Sequence, residues 1–207
     1  MGRLSLLFLL FAVPVLPQAP EAWVTTDFTF LTLGKFDFSG NAQIRTDRGM
    51  GGFAYARGGP VVTVRPKAWL TGAFGYWWQE SETDIVGWAP TQRIYGGVEV
   101  RWWQHKGWQI LSRQVGERFF LGDGLGANRY RQRATVQFPV RWRPTGQVEC
   151  VFDERGLQFT RTMGTVRFSL SEHTDLTTGY FYDFFRLGFR NRQVISATLR
   201  FNKPWRR

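Results

Sequence analysis

One cysteine and two histidines are all that this 207-residue chain holds of the residues that most often cross-link, ligate metals or activate nucleophiles. Cys150 alone closes no internal disulfide, so the fold has to be held by its own sheet. Neither histidine belongs to an HExxH pair, and no cysteine-rich metal box, P-loop or dinucleotide fingerprint occurs. His105 and His173 fall in short turns, whereas barrel hydrolases use a histidine to activate a poor hydroxyl nucleophile. A hydrolase is therefore the weakest functional reading, and no cofactor is expected. Long apolar runs are missing too. The longest, residues 4–16, is too short to cross a bilayer as a helix, which needs ~20 residues.

That short run follows Arg3, and together they form the basic and apolar regions of an export leader. Cleavage is placed between Pro17 and Ala22, so residues 1–22 are read as leader. Residues 23–201 are then one domain and 202–207 a short basic tail. The formal net charge is +11. Export argues against nucleic acid as the partner of that charge. Arginines lining the interior of a barrel, matched by Glu and Asp, account for it more simply.

Alternation fills the rest. Phe36, Phe38, Gly40, Ala42 and Ile44 interleave with Lys35, Asp37, Ser39, Asn41, Gln43 and Arg45, the period of a strand with one apolar and one wet face. Candidate strands cover 23–32, 35–46, 53–65, 68–79, 92–103, 108–119, 128–140, 147–153, 157–170, 174–183 and 190–201. From Lys35 onward, tight connections alternate with mostly longer ones. Short turns inside and longer loops outside are the habit of outer-membrane barrels. The expected fold is all-β: an antiparallel transmembrane β-barrel of about ten strands, with twelve as the alternative and 23–32 as an extra element. Pro60 predicts a bulge or a late start in the third strand.

Two faces separate by parity. Arg93, Glu99, Arg101, Arg113, Glu117, Arg129, Arg131, Arg133, Glu149, Asp153, Arg161 and Arg167 oppose residues such as Ile94, Val98, Val136, Phe138 and Phe168. An Arg on the lipid face at mid-bilayer costs ~2–4 kcal/mol, so the charged set has to face a lumen. In 108–119 the pattern weakens, because Leu111, Val115 and Phe119 share the parity of Arg113 and Glu117. That predicts a bulge or a partly apolar lumen. Cys150, between Val148 and Phe152, belongs to the apolar face. Trp69, Tyr76, Trp78, Trp102, Trp108, Tyr130, Trp142 and Tyr182 gather at strand ends, where membrane-interface aromatics would lie.

Several segments also carry a resemblance: Gly75-Tyr76-Trp77-Trp78, Glu99-Val100-Arg101-Trp102, the run from Ser112 to Arg118, the run from Asn128 to Arg133, and Thr178-Gly179-Tyr180-Phe181-Tyr182. In order and spacing the chain resembles the bacterial outer-membrane β-barrel family catalogued as domain of unknown function 2490. The resemblance covers roughly residues 23–201. It implies a barrel in the outer membrane of a Gram-negative-type envelope and supplies no activity. The last strand, with Ile195, Ala197, Leu199 and Phe201 alternating, resembles the signal read by the barrel-assembly machinery, although 202–207 follow it. The expected partners are that machinery and the lipid bilayer with its lipopolysaccharide.

Three functional expectations follow. In the first, Arg–carboxylate pairs fill a narrow lumen and the protein is a structural or surface-interaction module. In the second, surplus arginine leaves a small anion-selective pore or a route for anionic solutes or lipids. In the third, Glu80, Glu82 and Asp84 of the loop 80–91 bind Ca²⁺ or do acid–base work, although alternating carboxylates in a polar loop read first as solvation. A soluble secreted barrel would alternate equally well, with its charges outside and its apolar face inside.

Overall fold

Period-two alternation does build a barrel wall here. The computed structural model describes residues 19–47, 52–83, 87–121, 126–186, 191–202 and 205–206. Residues 1–18 of the expected leader 1–22, and Asp84, lie outside them. Eleven strands follow one another around the wall: β1 (Glu21–Leu33), β2 (Phe36–Thr46), β3 (Phe53–Lys67), β4 (Leu70–Thr83), β5 (Gly87–His105), β6 (Trp108–Leu121), β7 (Gly126–Gln137), β8 (Thr145–Asp153), β9 (Gly156–Ser169), β10 (Thr174–Phe185) and β11 (Arg192–Phe201). A two-residue β12 (Trp205–Arg206) pairs with β1 at Leu31 and Thr32. No helix occurs among the described residues.

Among the eleven wall strands each neighbour pair is antiparallel except one, and the short β12 also pairs in parallel. β11 returns to β1 and pairs with it in parallel, from Glu21↔Val194 to Phe28↔Phe201, which closes the barrel. The strand count is therefore eleven rather than ten or twelve. The segment expected as an extra element is the closing wall strand itself. Its signal is weak in sequence for two reasons. Its inward positions include Trp23, and a bulge between Thr29 and Leu31 breaks its parity. A parallel closure also puts the start of β1 and the end of β11 at opposite rims.

Two-residue turns join β1 to β2, β3 to β4 and β5 to β6 at the rim where β1 ends, but the expected tight turn between β7 and β8 is the seven-residue connection 138–144. The β5–β6 turn is two residues, Lys106 (φ 45°) and Gly107 (φ 85°). Both lie in the left-handed region, as a type I′ hairpin requires. The connections at the other rim, which we call the loop rim, run from two residues (154–155) to six (47–52 and 186–191). Part of the expected 80–91 loop is strand, because β4 runs to Thr83 and β5 starts at Gly87. Glu80 and Glu82 therefore pair with Pro90 and Trp88 inside a hairpin.

Pro60 sits within β3 rather than at its start. It pairs with Gly40 of β2, while the ladder to β4 skips Gly59 and Pro60. Proline has no N–H for that second ladder. A Cβ at Gly59 would collide with the Tyr76 carbonyl, so the two backbones can approach there only around a glycine.

The parallel seam makes a direct prediction. Thr26 and Leu199 are Cα partners across it. In a Cys150→Ser background, Thr26→Cys with Leu199→Cys should form an intramolecular disulfide on oxidation, because the pair lies within disulfide reach. Mass spectrometry of the oxidised, folded protein reads it out. A barrel that leaves residues 21–33 out of its wall would give no cross-link.

Candidate functional site

Strand register, more than any local motif, assembles the interior. Direct cross-strand partners on the inward face include Trp23↔Arg45↔Tyr55, Trp77↔Arg93, Glu117↔Arg129 and Glu149↔Arg161↔Asp183↔Arg192. Each pair sets a cation beside a carboxylate or an aromatic ring. Joined end to end, they form a girdle in the half of the barrel nearer the loop rim, with a residue from every wall strand.

On one side the girdle is ionic. Glu117 (β6) receives Arg93 (β5) at 3.4 Å, Arg131 (β7) at 3.3 Å and the Nε of Arg129. Arg131 also grips Glu149 (β8) at 2.8 Å, and Arg161 (β9) reaches Glu149 at 3.7 Å. Arg161 then forks onto both carboxylate oxygens of Asp183 (β10), at 2.5 and 2.8 Å. Arg192 (β11) donates to Asp183 at 2.6 Å and approaches Glu21 (β1) at 3.7 Å. The bidentate fork is what guanidinium geometry offers a carboxylate. Glu117 is 4% exposed and Asp183 0%, so each carboxylate depends on these arginines to remain charged.

Across β1–β4 the girdle is aromatic. Glu21 accepts the indole N–H of Trp23 at 3.1 Å. Arg45 stacks on Trp23 with its Cζ 3.9 Å from the ring centre, and on Tyr55 at 4.1 Å. Arg57 and Arg93 cover Trp77 at 3.9 and 4.1 Å. Arg161 and Arg192 also lie over Trp23, at 4.9 and 5.2 Å. Cation–π contacts strengthen when desolvated, reaching about 2 kcal/mol. Below the rings, Trp77 packs on Tyr95 with centroids 4.2 Å apart, joined by Val115 and Val61. The lumen is thus partly apolar around Val115, and the β6–β7 ladder runs there without a bulge.

Of the twelve charged residues predicted to face inward, Arg93, Glu117, Arg129, Arg131, Glu149 and Arg161 belong to the girdle. Arg167 pairs with Asp175 at 2.5 Å nearer the turn rim. Asp153 accepts from Gln158 and from the Arg155 amide, and Arg101 donates to Gln104. Glu99 is the cross-strand partner of Arg113, and Arg113 that of Arg133. None of those three makes an ion pair among the described residues. Sequence reading missed Glu21, Trp23, Tyr55, Arg57, Trp77, Asp183 and Arg192. For Trp77 the signal was present, since it has the opposite parity to Tyr76 and Trp78.

Aromatics of the expected belts lie mostly outside. Trp69, Trp78, Trp102, Trp108, Tyr130 and Trp142 are exposed and Tyr76 is half-buried. Tyr182 differs, at 2% exposure against Phe184. A bulge between Arg101 and Trp103 sets Trp103 beside Ile110 on the outer face, against its sequence parity. Cys150 is half-buried, with its Sγ 3.9 Å from the outward Thr160 hydroxyl. His105 ends β5 and His173 lies in the β9–β10 turn, both exposed at the turn rim. No cluster of metal-ligating side chains occurs among the described residues.

A family model described as protein of unknown function (DUF2490) matches residues 21–204. The chain belongs to that family. No curated protein matches it.

The girdle separates two carboxylates that sequence alone treats alike. Glu117→Gln removes the carboxylate shared by Arg93, Arg129 and Arg131, leaves the buried Arg93 without an ion pair, and should cost about 3–5 kcal/mol. Glu99→Gln removes no ion pair and should cost about 1 kcal/mol or less. Urea unfolding of the refolded protein in detergent, followed by tryptophan fluorescence, measures both.

Proposed function

We propose that this member of the DUF2490 family is an outer-membrane β-barrel whose lumen is closed by its own charge girdle, and that it acts as a structural or surface-interaction module. The observation that carries the reading is the inverted polarity of the wall. Phe74 is 58% exposed and Trp102 69%, whereas Arg93 is 2% exposed. Val24, Phe36, Val98, Val148, Phe168 and Ile195 extend that apolar exterior around the whole circumference. A continuous apolar surface of this kind does not suit water. A soluble barrel would have put its charges outside.

Dimensions support the same reading. A strand like β10, with 12 residues, is roughly 40 Å long and rises roughly 30 Å at the usual barrel tilt, which matches a bilayer core. In this reading the leader sends the chain across the inner membrane. The terminal strand β11 is what the barrel-assembly machinery reads, and the outer wall meets lipid and lipopolysaccharide. Short turns face the periplasm. The parallel seam then places the start of β1 at the outer rim.

Closure follows from the girdle. Eleven strands make a barrel only slightly wider than one that side chains just fill. Arginines long enough to reach across neighbouring strands take up that extra width.

Two measurements check this. The protein should fractionate with outer membranes and run as a compact, heat-modifiable band. Recovery in the soluble periplasmic fraction without detergent would overturn the membrane reading. In planar bilayers the purified protein should stay silent across voltages, and a variant with Arg93→Ala, Arg131→Ala and Arg161→Ala should conduct. Steady conductance by the unaltered protein would overturn the closed-lumen reading.

A further inference from the structure

We propose that the lumen on the turn side of the girdle is a binding site for a small soluble oxyanion, held by Arg57, Arg113, Arg133 and the indole N–H of Trp77. The site rests on the closed-lumen reading only in that the girdle forms its floor.

A cavity of about 460 Å³ lies there, lined among others by these four residues. Its other charges are spoken for. Arg65 pairs with Asp37, Arg200 with Asp27 at 3.3 Å, and Arg131 with Glu117 and Glu149. Asp37 also accepts from Thr32, and Asp27 from Asn41. After these pairings three guanidinium groups of the lining make no ion pair among the described residues: Arg57, Arg113 and Arg133.

Their arrangement is unfavourable by itself. Arg113 and Arg133 are direct cross-strand partners, and like charges set opposite one another on a sheet are destabilising. Glu99 lies beside Arg113 on the other flank but makes no ion pair with it. Arg133 faces Glu149 across the β7–β8 ladder, but that carboxylate is held by Arg131 and Arg161, and Arg133 donates instead to the neutral Gln147 Oε1 at 3.2 Å. Among the described inward ladders no other two arginines face each other directly, so the pair is a local repulsion that an anion would relieve.

Unpartnered atoms in the same wall point to the same chemistry. Arg57 Nε and Trp77 Nε1 are buried with no hydrogen-bond partner. Both are donors, and Trp77 as a whole is 8% exposed. Buried polar groups are normally satisfied, so donors without partners mark the place of an absent acceptor. Asn41 Oδ1, also unpartnered in this wall, would accept the proton of a monohydrogen phosphate or a ligand hydroxyl. Phosphate is the simplest species with this pattern. The volume leaves room for a larger phosphorylated or carboxylated solute.

Isothermal titration of the full barrel in a zwitterionic detergent tests the site, with inorganic phosphate as probe and chloride at equal ionic strength as control. Phosphate should bind saturably, one per chain, and raise the melting temperature. Arg113→Gln with Arg133→Gln should weaken binding roughly tenfold or more, since each lost charge-assisted hydrogen bond is worth about that factor. The same pair of substitutions should leave the ligand-free protein as stable or more stable, because it relieves the repulsion. Arg65→Gln, which removes an already paired cation, should bind as before. If the double variant does not refold, Trp77→Phe keeps the ring and loses only the N–H, and should bind several-fold more weakly. Phosphate binding no better than chloride, or equal binding by the double variant and by Trp77→Phe, would overturn the site. Conductance in bilayers is a separate result and bears on the closed lumen alone.

Discussion

A charged interior enclosed by an apolar exterior has to neutralise itself. That constraint organises this barrel. Inward charges cannot borrow solvent from outside the wall, and the lumen of eleven strands is narrow. Glu117, Glu149 and Asp183 consequently each sit within reach of more than one guanidinium, and Arg45 and Arg57 are placed on aromatic rings. Removing one member leaves its partners buried and charged, so the girdle stands or falls as a unit. It orders the wall more than it adds net stability, since taking charges out of water is itself costly.

Register is the agent of that pairing. Arg161, Asp183 and Arg192 are far apart in the chain yet adjacent on neighbouring strands. A one-residue slip would turn every one of them to the outer face. The apolar exterior and the ionic interior therefore specify the same register from opposite sides. The parallel seam belongs to this scheme. β1 brings Glu21 and Trp23 to the end of the ionic run, where Arg192 and Arg161 meet them. Without β1 the girdle would end at Arg192, and Arg45 would lose one of the two rings it covers.

Period-two alternation made the inside and outside of the wall legible in sequence. Arg93, Glu117, Arg131, Glu149 and Arg161 could all be assigned to the interior from parity alone. What parity cannot convey is the partner across the strand, because register is set by turns and bulges. Trp103 shows the limit: one bulge moved it to the other face. Arg45 was legible as an inward charge, but its aromatic neighbours on β1 and β3 were not. The strand count failed for a different reason. The habit of even-numbered bacterial barrels outweighed the weak alternation of residues 23–32. Asp183 was missed because it lies at a strand end amid aromatics, where its role depends wholly on Arg161 and Arg192.

The division between arginine and lysine follows from the same constraint. Lys35, Lys67 and Lys106 all lie at or beside the turn rim, and Lys35 donates there to the Pro66 carbonyl at 3.1 Å. Every cation of the described girdle is an arginine. An ammonium is a compact, strongly hydrated charge that suits a wet rim. A guanidinium is weakly hydrated, stays charged when buried, forks onto carboxylates and stacks on rings. Arg161 does both at once, with Asp183 on its edge and Trp23 under its face. A lysine at that position could satisfy one of those neighbours but not both. Arginine in the lumen and lysine on the rim thus follow from how much water each location holds.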